Sequence, residues 1–222
     1  AGAAHAVDGW RSGCGAALAR GLRRNAVYDV PDLRDHCDGD DMDQEPSHLL
    51  AALRQGGAAA DAAREMLRAA ASAGAAAALR ARVTDALIAA LLPSDHAVVA
   101  WLLGEEIATL ARQGHGATDA LYLLVAACAR FGNADDALLL WRAYTATPET
   151  RATVDVEHLA RAGVERVRAT LGALAAAGPQ RTEAAAALAW FEQGVASGAL
   201  DDLAGYFAWS DEQYGLVAGA PV

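Results

Sequence analysis

The sequence contains no lysine, so its 18 basic residues are all arginines, and 28 carboxylates give the chain a formal net charge of -10. The absence of lysine excludes Schiff-base catalysis. An excess of negative charge repels phosphate backbones, and the only compact basic cluster, Arg20, Arg23 and Arg24, is typical of a solvated helix face. We therefore expect no nucleic-acid partner.

Cysteine is scarce and scattered. Cys14, Cys37 and Cys128 form no CxxC pair, which argues against both a disulfide framework and a zinc ribbon and favours a reducing compartment. The longest uncharged apolar run, 120–129, is shorter than the ~20 residues that a bilayer span requires. The first residues also lack the basic start and apolar stretch of a signal peptide. The sequence therefore predicts a cytoplasmic protein without a membrane partner.

The common catalytic motifs are missing as well. There is no GxSxG nucleophile turn, no GxxxxGK[ST] phosphate loop, no GxGxxG dinucleotide loop and no HExxH metal motif. These absences favour a protein without catalysis and without a cofactor.

Apolar residues recur at helical spacing along most of the chain, and no convincing alternating strand is present. The pattern predicts about nine or ten helices with short connections, the longest running from about Asp155 to Ala177. The fold class we expect is all-α without a sheet, built either as stacked, solenoid-like helical hairpins or as an irregular multi-helix bundle. We expect one domain over residues 1–222, with an acidic loop at about 34–46.

One stretch of the sequence carries a repeat signal. Residues 119–144 read DALYLLVAACARFGNADDALLLWRAY. A glycine stands between two helical patterns, with a leucine eight residues before it, an alanine five residues after it and a tryptophan nine residues after it. This spacing resembles the tetratricopeptide-like repeats over residues 118–148, although Cys128 stands where that family usually has an aromatic ring. The resemblance implies a sharp interhelical turn and structural packing roles for Leu124, Gly132, Ala137 and Trp141.

The same order recurs in SGALDDLAGYF, where the resemblance implies the same roles for Gly198, Leu203 and Phe207. A strict period of about 34 residues fails elsewhere in the chain. Helical hairpins that stack present a face able to hold a peptide or protein. The resemblance therefore implies a non-catalytic protein-interaction scaffold.

The aromatic residues near the end of the chain suggest where such a scaffold binds. Several large rings gather there, and tryptophan and tyrosine are frequent anchors of protein interfaces. They are interpreted either as a terminal core or as an interface with another protein or with a second copy of the chain. The interface interpretation names Trp190, Tyr206, Trp209 and Tyr214.

The acidic run RDHCDGDDMDQEP, residues 34–46, raises the question of a metal site. Aligning Gly39 with the glycine of a calcium-binding loop puts Glu45 at its closing position, but the first ligand position then falls on Arg34. A cation cannot bind calcium, so we interpret the run as a solvated loop.

A metal-dependent helical enzyme is the alternative function. A carboxylate and a histidine three residues apart on a helix are how ferritin-like bundles bind two metal ions. The candidate ligands on this alternative are Glu45, His48, Glu105, Asp155 and His158.

Overall fold

The computed structural model describes residues 46–69 and 72–216. These residues form eleven α-helices and two short 3-10 helices, Pro93–Asp95 and Ala134–Asp136, and they contain no β-strand, which confirms the all-α prediction. The α-helices in chain order are α1 Pro46–Gln55, α2 Gly57–Ala69, α3 Ala73–Ala89, α4 His96–Gln113, α5 Asp119–Arg130, α6 Ala137–Thr145, α7 Pro148–Arg151, α8 Glu157–Ala160, α9 Val164–Ala176, α10 Arg181–Ala196 and α11 Leu203–Gln213.

The predicted acidic loop lies outside the described residues, apart from Pro46 at the start of α1. The single domain over 1–222 accordingly stays a prediction.

The long helix predicted from Asp155 to Ala177 is wrong in one respect, because it is broken in two. Helix α8 ends at Ala160 and α9 begins at Val164. Gly163, between them, has a φ of 97°, a value that glycine adopts without the clash that a Cβ would cause. The apolar spacing continues across the break, so periodicity alone did not reveal it.

The order of packing changes along the chain. Up to residue 145, helices mainly contact the helices one and two positions along: α1 packs on α2 and α3, α3 on α5, and α4 on α6. This is the pattern of stacked hairpins. Beyond that point the packing is irregular, because α6 contacts α8, α9 and α10.

Helix α10 approaches the loop before α8 very closely. A methyl group added at Gly194 would lie 2.9 Å from both methyl carbons of Val156, a buried side chain. Rotation of the valine cannot remove both contacts, because one methyl replaces the other. Gly194 is therefore required for the approach of α10.

We expect Gly194→Ala to lower the free energy of unfolding by about 1 kcal/mol, because overpacking typically costs 1–3 kcal/mol and the gain in helix propensity offsets only about 1 kcal/mol. Gly172→Ala, in the middle of α9 with nothing within 4 Å of its Cβ, is the matched control and should raise that free energy by up to about 1 kcal/mol. Urea unfolding measures both changes. Equal stabilisation by the two alanines would contradict the packing argument.

A buried ion pair joins four helices. Arg80 of α3 and Glu106 of α4 are 5% and 4% exposed, and Arg80 Nε lies 3.8 Å from Glu106 Oε2. The guanidinium also donates to the Leu67 carbonyl of α2 at 3.2 Å and to Thr109 Oγ1 at 2.9 Å. Glu106 accepts from the hydroxyl of Thr118, the residue that caps α5, at 2.6 Å. One polar network thus connects α2, α3, α4 and α5.

Arg80→Ala should lower the free energy of unfolding by about 3–5 kcal/mol, because it leaves the buried Glu106 carboxylate without its cation. Arg82→Ala, two residues further along α3, removes an exposed arginine and is expected to change stability by less than about 0.5 kcal/mol. Denaturant unfolding of both variants tests the difference. A loss below about 1 kcal/mol for Arg80→Ala would show that the pair is not needed for stability.

Candidate protein-interaction surface

The four repeat positions of residues 118–148 lie in or beside one helical hairpin, α5 and α6. Leu124 and Ala137 are 1% and 2% exposed and belong to the core. Gly132 has a φ of 60° in the turn between the helices, where its Cβ position would lie 3.6 Å from the Arg161 carbonyl oxygen. Trp141 is only half-buried. These placements suit the packing roles, while the tetratricopeptide-like resemblance itself stays a prediction.

The second set of repeat positions lies around α11. Gly198 has a φ of 76° just after α10, and Leu203 is the first residue of α11. Phe207 is half-buried and lies under the guanidinium of Arg161, whose central carbon is 4.8 Å from the ring centroid.

The four predicted interface residues are divided between two places. Trp190 of α10 stacks on Tyr144 at a centroid distance of 4.2 Å and lies 5.4 Å from Trp141, so it belongs to an aromatic group on α6 and α10. Tyr206 and Trp209 lie on α11, and Tyr214 follows its end, half-buried. No local pattern predicts this division, since all four residues lie within 25 positions of one another.

We call the rings of Tyr206, Phe207 and Trp209 the α11 aromatic surface. The Tyr206 centroid lies 5.9 Å from that of Phe207 and 5.7 Å from that of Trp209. Trp209 is 40% exposed, the most exposed tryptophan of the described residues. A large part of this indole therefore stays in contact with water.

Polar contacts hold α11 in place. Both terminal nitrogens of Arg161 donate to the carboxylate of Asp211, at 2.8 and 2.7 Å, and Arg130 lies 3.4 Å from the same carboxylate. The Tyr206 hydroxyl donates to Asp155 Oδ2 at 2.9 Å. Ser210 is the only fully buried residue of α11. The helix is therefore positioned by ion pairs and hydrogen bonds rather than by deep apolar packing.

A buried histidine lies beneath α11. His158 is 4% exposed, its Nδ1 is 3.2 Å from the Asp155 carbonyl oxygen, and its ring meets the edge of Tyr206. Burial lowers the pKa of His158, although the Asp155 carboxylate opposes this effect. Burial and the Asp155 carboxylate also raise the pKa of Tyr206, and burial raises the pKa of Tyr214 to about 12. The imidazole and both phenols are thus neutral at pH 7.

The alternative metal ligands do not assemble. Among the residues that the structure describes, no group of three or more histidine, cysteine, aspartate and glutamate side chains could hold a metal ion. His48 is exposed on α1, and Glu105 accepts a hydrogen bond from Arg68 at 2.9 Å. Asp155 and His158 meet each other and Tyr206 instead. Glu45 lies outside the described residues.

The structure also contains a groove that sequence reasoning missed. It lies between α6 and α9 and has a volume of about 480 Å³. Its lining includes Leu138, Leu139, Arg142, Ala173, Leu174 and Gln180. One feature of the sequence could have indicated the α6 side of this groove. Leu138 and Arg142 are four residues apart, and that spacing puts both on one face of α6.

Comparisons of the chain with protein-family models, with curated proteins and with solved structures found no match. Within the described ranges, every helix is too short or too polar to cross a bilayer.

The lowered pKa of His158 predicts a pH-dependent stability. Below about pH 6.5 the unfolded chain takes up a proton that the folded chain does not, so the free energy of unfolding should fall on acidification, by at most about 1.4 kcal/mol per pH unit. His158→Asn keeps an N–H donor near the Nδ1 position and removes the titration, which should flatten the profile. The measurement is urea unfolding between pH 7 and pH 5.

His115→Asn, which removes an exposed histidine from the loop after α4, is the control and should retain the wild-type slope. An unchanged slope in His158→Asn would rule out His158 as the source of the pH dependence.

Proposed function

We propose that this chain is a non-catalytic protein-interaction scaffold built from helical hairpins, and that it binds another protein or peptide through the α11 aromatic surface. The observation that carries the proposal is the 40% exposed Trp209 beside the half-buried rings of Tyr206 and Phe207. Tryptophan and tyrosine contribute most strongly to interfaces when a partner removes them from water.

The way in which α11 is held supports this proposal. The two-pronged contact between Arg161 and Asp211 and the hydrogen bond from Tyr206 to Asp155 set the position of the helix before a partner arrives. A surface with a preset shape loses less conformational entropy on binding than a flexible one. The aromatic rings are therefore presented by a positioned helix, as an interface anchor requires.

The rest of the described chain supports a scaffold role. The stacked order of α1 to α6 resembles that of helical-hairpin proteins, which bind partners on extended surfaces. We place the protein in the cytoplasm in this proposal, because its cysteines are scattered and the thiol of Cys128 is buried, which raises its pKa.

Trp209→Ala should weaken binding of the partner. A tagged full-length chain, purified from its native host with the alanine and with the wild-type residue, allows the retained protein to be identified, purified and titrated by calorimetry. We expect the Kd of that complex to rise at least about tenfold in Trp209→Ala, as for a tryptophan that anchors an interface.

Leu92→Ala is the matched control, because Leu92 is also an exposed apolar side chain, at 46%, and lies between α3 and α4. Its Kd should stay within twofold of the wild-type value. Light scattering on the same samples reveals whether the partner is a second copy of the chain. Equal affinity of the wild-type protein and Trp209→Ala would exclude the α11 aromatic surface as the binding site.

A further inference from the structure

We propose that the segment bound at the α11 aromatic surface is cationic, with an arginine whose guanidinium lies on the Trp209 ring beside the Glu212 carboxylate. This inference rests on the proposed function and names the chemistry of its partner.

The exposed face of α11 has the geometry for such a contact. Gly205, Ala208, Trp209 and Glu212 are all exposed, and their spacing of three and four residues puts them on one side of the helix. Glu212 is one turn from Trp209 in the C-terminal direction, and Gly205 is one turn away in the other direction. Gly205 and Ala208 carry little or no side chain, so Trp209 and Glu212 are the two large side chains of this exposed face.

The charge around α11 is negative, and arginines compensate only part of it. Residues 199–216 contain four carboxylates and no arginine or lysine. Two cations, Arg161 and Arg130, both contact Asp211, which leaves Asp201, Asp202 and Glu212 as the other three carboxylates of this segment. Within the described part of the chain, no cation is paired with Glu212. An anionic partner would be repelled here, whereas a cationic one would be attracted.

The negative field extends to the base of the helix. Burial raises the pKa of Tyr206 most strongly. The charges of Asp155, just before α8, and of Glu157, the first residue of α8, raise this pKa further. Carboxylates on both sides of the α8 start thus add to the negative charge that α11 itself carries near Tyr206. A second copy that bound through this same surface would bring charge of the same sign, which makes such a pairing unfavourable.

The fold itself contains three contacts of the proposed kind. Arg161 lies over Phe207 at 4.8 Å, and Arg64 and Arg68 lie over Trp101 at 5.6 and 5.5 Å from the ring centroid. In the Trp101 contact, Arg68 is also paired with Glu105, on the same helix as the tryptophan and four residues further along. Trp209 and Glu212 offer a similar ring and carboxylate, one turn apart, to an arginine from outside. Arginine suits this place better than lysine, because its planar guanidinium can stack on a ring and donate hydrogen bonds to a carboxylate at the same time.

A labelled nine-residue peptide tests the proposal. Two arginines flank two leucines in this peptide, and glycine and serine fill the other positions. The control peptide carries neutral citrulline in place of each arginine. Fluorescence anisotropy with the full-length protein gives the two Kd values. We expect the arginine peptide to bind, binding to weaken at higher salt, and the citrulline peptide to bind at least about fivefold more weakly.

Three protein variants locate the contact. Glu212→Gln removes the carboxylate, and Trp209→Leu keeps an apolar side chain but removes the aromatic face. Each should raise the Kd of the arginine peptide roughly two- to fivefold. Glu65→Gln makes the same change of charge at an exposed position on α2 and should leave the Kd unchanged.

The possible outcomes separate this inference from the proposed function. No binding of the arginine peptide, equal binding of the citrulline peptide, or an equal effect of Glu65→Gln and Glu212→Gln would each overturn the cationic partner. If Trp209→Ala still raises the Kd of the natural complex at least about tenfold in that case, the interaction scaffold stands and only its partner chemistry is wrong. If Trp209→Ala leaves the natural complex intact, the scaffold surface itself is wrong.

Discussion

The buried pair of Arg80 and Glu106 determines how the first helices meet. Taking two charges out of water costs several kcal/mol each, and the 3.8 Å between Arg80 Nε and Glu106 Oε2 is too long for a direct hydrogen bond. Hydrogen bonds from the guanidinium to the Leu67 carbonyl and to Thr109, and from Thr118 to the carboxylate, offset part of this cost. Because the members of this network belong to four helices, it fixes α2, α3, α4 and α5 to one another at a buried point where an apolar contact would be less directional.

The second part of the described chain uses arginine differently. There the ion pairs lie nearer the surface and join elements distant in sequence: Arg142 with Glu183, Arg168 with Glu192, and Arg161 with Asp211. Exposed pairs contribute little stability, but two-pronged arginine–carboxylate contacts set orientation well. This explains how α11 keeps a defined position although it buries only Ser210 completely. It also explains why its aromatic rings can stay partly in water without loss of the fold.

Helical periodicity was sufficient to predict the fold class, because it depends only on residues close in sequence. The same local view missed the break at Gly163, where the apolar spacing continues through a residue with positive φ. It also missed Arg80 and Glu106, which are 26 positions apart and which no local pattern connects. The aromatic residues were found as a group, but Trp190 packs with Tyr144 and only the α11 rings remain together. Side-chain partners on different helices depend on tertiary contacts, which cannot be deduced from the local pattern of a single sequence.

Because the chain has no lysine, arginine alone provides the cations that pair with carboxylates within the fold, and the carboxylates left over determine the charge of the surface. Arginine forms two-pronged contacts with carboxylates, and four arginines of the described chain do so, each with a single carboxylate from another part of the fold. These arginines are Arg54, Arg142, Arg161 and Arg168. Cations used in this way neutralise carboxylates that the fold itself holds, and the carboxylates of the chain outnumber its arginines by ten. On α11, Glu212 stands one turn from Trp209, the most exposed tryptophan among residues 46–69 and 72–216. The negative charge to which we propose that a cationic segment binds thus follows from the use of arginine inside the fold.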